Sequence, residues 1–141
     1  MKPGMIQKFL PFGTLIALFL LLWALSPVFL TETNLSSVIR QTAVINIMAL
    51  GMTMVIIAGG IDLSVGSILA FSGVCGTMSF ASGVPIPVGI LVGMLAGAFC
   101  GFLNGLLTTI LKINPFIVTL GALLIVRGVT LIISNGMPIH Q

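Results

Sequence analysis

Charge is what this sequence has least of. Only seven of its 141 residues are Asp, Glu, Lys or Arg, 5% of the chain, against roughly 25% in ordinary soluble domains. So few charges do not cover the surface of a soluble domain of this size. The scarcity excludes that class and points to an integral membrane protein. Acids are rarest of all, with Glu32 and Asp62 the only two. That leaves no paired carboxylates for general acid–base work. His140 is the single histidine and has no carboxylate or cysteine near it in sequence, which speaks against a metal or catalytic centre. Cys75 and Cys100, the two cysteines, lie inside apolar runs. They form no metal-ligand spacing and no dense disulfide framework, so they read as buried free thiols. With no converging set of His, Asp and Ser, no enzyme, cofactor or metal is expected. The net charge of +3 rests on too few groups to imply nucleic acid as a partner.

What is abundant is apolar sequence: 58% of residues are hydrophobic and mean hydropathy is +1.32. The runs are of membrane-spanning length. They predict an all-α, polytopic transmembrane helical bundle of about five spans, near 10–30, 38–58, 65–83, 88–111 and 116–134, embedded in membrane lipid. Lys2 and Lys8 precede the first run, which is too long for a signal-peptide core and has no small-x-small site after it. It reads as an uncleaved first helix with a cytoplasmic N-terminus and with Pro11 in its first turn. Thr31–Ser37 reads as an external loop. Lys112 then falls on the same side as Lys2 and Lys8, in keeping with the positive-inside rule.

The apolar runs break most sharply at Gly59-Gly60-Ile61-Asp62-Leu63-Ser64-Val65-Gly66-Ser67. The paired glycines read as a helix stop, and Asp62 and Ser64 as candidate N-caps of the next helix. In the second span Thr42, Asn46, Ala49 and Thr53 share one face at helical spacing. Such a face packs on another helix or lines a polar path, and Arg40 reaches for the headgroups near the end of the same span. Thr42, Asn46, Thr53, Asn104 and Thr108 are the polar groups able to line a path. In the fourth span Gly89, Gly93, Gly97, Gly101 and Gly105 recur every four residues. Each step overshoots a turn by about 40°, so the stripe wraps slowly around the helix. It serves either packing within one subunit or a dimer seam. Lys112-Ile113-Asn114-Pro115 closes that helix, and Pro115 biases Asn114 away from helical backbone and restarts a helix behind it. Arg127 lies about 18 Å into the fifth span at 1.5 Å per residue. Asp62 is its natural partner by charge, but the two meet only if the Gly59–Ser67 turn is re-entrant.

Two stretches carry a family resemblance. Gly59-Gly60-Ile61-Asp62-Leu63-Ser64-Val65-Gly66 resembles a signature of membrane permeases of ATP-binding-cassette sugar importers, in the branch serving ribose, xylose, galactose and autoinducer-2. Asn114-Pro115-Phe116-Ile117-Val118-Thr119-Leu120-Gly121, followed by Arg127-Gly128, resembles a second signature of the same branch. Ala49-Leu50-Gly51-Met52-Thr53 is also similar. The resemblance runs from about Val38 to Gln141. It implies a bacterial inner-membrane permease subunit that pairs as a homo- or heterodimer. A cytoplasmic ATP-binding subunit would drive it, and an extracytoplasmic sugar-binding protein would deliver a monosaccharide. Family permeases continue well beyond this length, so the resemblance implies the N-terminal half, with the ATPase-docking segment expected in the other. On the residues alone, a small self-assembling transporter or channel and a purely structural membrane subunit stand as alternatives.

Overall fold

The computed structural model describes residues 3–137, so Lys2 and His140 lie outside the described residues. The described chain is helical throughout, as the apolar runs predict: α1 (Pro3–Leu25), α2 (Glu32–Ile57), α3 (Val65–Ala81), α4 (Ile86–Thr109) and α5 (Pro115–Ile133). Four of these are long and apolar enough to cross a membrane, while α3 has 17 residues and falls just short of that group. The chain divides into two compact units, Met1–Ile47 and Met48–Gln141.

In the first unit the boundaries differ from those read off the sequence. The first span does not run to residue 30. Its helix ends at Leu25, because Pro27 disfavours helical backbone at Ser26. The turn occupies residues 26–31, and the expected loop over Thr31–Ser37 is largely the start of α2. Thr31 caps that helix, its hydroxyl accepting from Asn34 N–H at 3.4 Å, and the Asn34 side chain donates to Phe29 O at 2.7 Å. Phe29 also meets Phe19 edge-on, ring centroids 5.2 Å apart. Pro11 is not in a first turn but inside α1, where its missing N–H removes one helical hydrogen bond.

The second unit is built on α3, which packs against both α4 and α5. The α3–α4 crossing uses part of the glycine stripe. A Cβ on Gly93 would sit 2.8 Å from Ser72 O, and one on Gly97 would sit 2.6 Å from Ser72 Oγ. A Cβ on Gly89 would land on the Phe80 ring, and one on Gly76 of α3 would come within 3.1 Å of Gly89 O. Gly101 and Gly105 have nothing within 4 Å of that position. The stripe thus splits: its first three members allow close helix approach, and the wrap carries the last two off the α3 contact. Cys75 and Cys100 are free, as expected, but partly exposed rather than buried.

Candidate functional site: the turn between α2 and α3

The end of α2 follows the chemistry of its glycines. Gly59 takes φ +79°, a left-handed conformation that other residues adopt only at a cost. Its N–H donates to Ile56 O at 2.9 Å, and Gly60 N–H reaches back to Val55 O at 3.0 Å. These are the paired bonds that close a helix on a left-handed residue.

The other half of the turn departs from the capping expectation. Ser64 occupies the N-cap position of α3, but its side chain makes no capping bond. Instead Asp62 Oδ1 accepts from Ser64 N–H at 2.8 Å and from Ser64 Oγ–H at 2.6 Å. The Ser64 oxygen in turn accepts from Asn104 Nδ2 on α4 at 2.9 Å. Ser64 is fully buried and Asn104 is 9% exposed. Caps at α3 would have spent these side chains on their own helix; here they tie the turn to α4.

A second tie comes from α5. Thr119, 4% exposed, places Oγ1 3.1 Å from Ile61 O and 2.8 Å from Pro115 O. Asn114 starts α5 as its N-cap, its side-chain oxygen accepting from Phe116 N–H at 2.9 Å, with Pro115 in the first turn behind it. The two signature stretches therefore meet: Thr119 of the second holds Ile61 of the first. No role for Thr119 follows from its own stretch of sequence. The only signal was a threonine one turn into an apolar helix, where its hydroxyl needs a neighbouring carbonyl.

The anchors fix the depth of the turn. Asn104 lies five residues before the end of α4, and Thr119 four residues after the start of α5. At 1.5 Å per residue the turn sits roughly 6–8 Å inside those helix ends. Non-helical backbone at such depth persists where protein surrounds it or a cavity adjoins it. A cavity of about 360 Å³ does adjoin it, lined among others by Asp62, Asn104, Gly105, Thr108 and Thr119. The inset goes with the shortness of α3, which begins inside the ends of α4 and α5 rather than level with them.

Of the polar residues able to line a path, Asn104 and Thr108 line this cavity. Thr108 donates its hydroxyl to Asn104 O at 2.9 Å. Thr53 bonds Ala49 O one turn earlier at 2.7 Å and is exposed. Thr42 and Asn46 are exposed residues of the first unit. Leu63, Gly66 and Arg127 line a different cavity, between α3 and α5. The Asp62–Arg127 pair does not form: Asp62 is engaged by Ser64, and no ion pair joins the two. Among the described residues no three His, Cys, Asp or Glu side chains gather as metal ligands. Hydroxyl, amide and carboxylate groups hold the helix break in place.

Helices of this length and composition define a multi-pass helical membrane protein. Residues 34–138 match the family described as the branched-chain amino acid transport system / permease component, and the chain belongs to that family. It is 48% identical over 136 residues to the ribose import permease protein of Bacillus subtilis, covering 96% of this chain and 42% of that protein. The ribose import permease protein of Escherichia coli K12 is 39% identical over 126 residues, covering 89% and 39%. The xylose transport system permease protein of the same strain is 37% identical over 136 residues, covering 95% and 35%. The chain thus spans about two fifths of the length of these relatives. No solved structure matches it.

Proposed function

We propose that the chain forms the N-terminal part of a permease subunit in an ATP-driven importer that carries a pentose- or hexose-type monosaccharide across a bacterial inner membrane. What supports this is the similarity to ribose and xylose permeases over nearly the whole chain. The observation that carries it is the tie between Ile61 and Thr119 together with the Ser64–Asn104 bond, which gives the two signatures one structural purpose. In this reading the N-terminus is cytoplasmic, all five helices lie in the membrane, and α3 is an inset one. Asp62, Asn104 and Thr108 contribute to the polar lining of the path, with Thr42, Asn46 and Thr53 along α2. The subunit does no chemistry. A cytoplasmic ATPase supplies energy, a second permease subunit completes the path, and an extracytoplasmic binding protein selects the sugar. Transport would proceed by switching between alternative helix packings coupled to nucleotide state.

The test has two parts. The chain, in detergent, is mixed with the ATPase of a ribose importer, with and without a polypeptide supplying the remaining length of the relatives. Retention of the ATPase only when that polypeptide is present is expected. Membrane vesicles carrying the assembled system and a ribose-binding protein are then given labelled D-ribose or L-leucine with ATP. ATP-dependent uptake of ribose and not of leucine is expected. A stable homo-oligomer that binds no ATPase in either mixture would overturn the reading in favour of a small self-assembling transporter.

A further inference from the structure

Arg127 is the one arginine inside α5, twelve residues after Pro115 and six before Ile133. These offsets correspond to about 18 Å and 9 Å of helix. It is exposed and makes no hydrogen bond or ion pair among the described residues. A cation at such depth in a membrane helix is costly unless protein or water meets it. It does not point at featureless hydrocarbon. It lines a cavity of about 450 Å³ between α3 and α5, with Ser67 and Thr130 beside it. Both hydroxyls donate to carbonyls of their own helices, Ser67 to Ser64 O at 2.8 Å and Thr130 to Val126 O at 2.7 Å. Neither is an anion. Among the described residues the cavity lining therefore offers a full positive charge and no counter-charge.

No acidic side chain lines it among the described residues. Of the chain's two acids, Asp62 is committed to Ser64, and Glu32 stands in the first turn of α2, at a helix end. A second copy would bring the same two. We propose that this cavity receives a carboxylate from a transmembrane segment outside this chain, one bearing Asp or Glu in its middle, and that Arg127 is its assembly contact. A guanidinium meets a carboxylate through two parallel N–H donors, and the α3–α5 cavity leaves room for that approach. The inference rests on the chain being part of a larger permease, whose relatives carry more than twice this length. It does not depend on the sugar or the ATPase.

The full chain, labelled with an energy-transfer donor and reconstituted in neutral lipid vesicles, is titrated with an acceptor-labelled Leu/Ala transmembrane peptide carrying one central Glu. The same peptide with Gln serves as the comparison. The Glu peptide is expected to associate about tenfold more tightly, a difference of roughly 1.4 kcal/mol. That preference should vanish in Arg127→Met and persist, weakened, in Arg127→Lys, with helicity and thermal midpoint of both variants matching the parent. Equal association of the two peptides, or a Glu preference undiminished in Arg127→Met, overturns the proposal. Self-association of the chain that Arg127→Met abolishes also overturns it, because the occupant would then be a second copy. None of these readings involves ATP or sugar, so failure here leaves the transport assay as an independent test of the function.

Discussion

Asn104 on α4 donates to the hydroxyl of Ser64, forty residues earlier, at 2.9 Å, and that hydroxyl donates its own proton to Asp62. One buried oxygen thus links a helix to a turn. Removing one partner leaves the others unsatisfied, which costs about 1–3 kcal/mol. Ser64→Ala and Asn104→Ala should each lower stability by that amount in detergent unfolding. The double variant should cost clearly less than the two single costs added, because both remove the same link. Strictly additive losses would mean the bond contributes nothing.

The glycine stripe should give a graded alanine series. Gly93→Ala meets the carbonyl of Ser72, a backbone atom that cannot rotate away, and overpacking of this kind costs about 1–3 kcal/mol. Gly97→Ala meets Ser72 Oγ, which can rotate away, and should cost less, whereas Gly89→Ala must displace the Phe80 ring and should cost as much as Gly93→Ala. Gly101→Ala and Gly105→Ala meet open space and should be neutral or stabilising by roughly 0.5–1 kcal/mol in the isolated chain. Thermal midpoints in one detergent would establish the order. If Gly101→Ala leaves the chain stable but abolishes assembly with a second subunit, the far end of the stripe is the seam.

At the signature turn, the neighbouring glycines should behave differently. Gly59→Ala forces a side chain into a left-handed conformation, at about 1–2 kcal/mol. A Cβ on Gly60 comes 3.3 Å from Val55 Cγ1, a methyl that shifts easily, so Gly60→Ala should cost less. Chemical denaturation of the two variants side by side would decide it, and equal losses would count against the left-handed helix stop.

Asn114 provides a local test at the start of α5. Its side chain satisfies Phe116 N–H, and loss of such a cap costs about 1 kcal/mol. Asn114→Ala should lose that stability and Asn114→Asp should keep it. The Asp variant losing as much as the Ala variant would show that the side-chain oxygen is not the cap.

Much of this architecture was legible in the residues. Long apolar runs require helices in lipid, and the Gly59–Gly60 stop and the Asn114–Pro115 start follow from backbone rules with local causes. The boundaries of the first two helices were not legible, because the break at Pro27 is a single residue in a continuous apolar stretch and Glu32 and Asn34 made a helix start look like a loop. The use of Asp62 and Ser64 was hidden for a different reason. A short polar side chain ahead of a helix is equally fit to cap it or to reach sideways, and only Asn104, far along the chain, decides between them. Thr119 was hidden in the same way, its partner being the carbonyl of Ile61 rather than any motif side chain. Arg127 announced itself by its charge, and what the structure adds is that its obvious partner is already taken.

The inset of the α2–α3 turn has a consequence for the order in which the protein is made. Its polar groups are satisfied by Asn104 and Thr119, which leave the ribosome forty residues after Ser64 and fifty-eight after Ile61. Until α4 and α5 emerge, these groups lack the partners that satisfy them, and α3 is the shortest of the five described helices. The segment from Gly59 to Ala81 is therefore expected to settle late, held by helices synthesised after it, and a chain interrupted before Thr119 should be more open there to protease, and at Cys75 to thiol reagents, than the full chain.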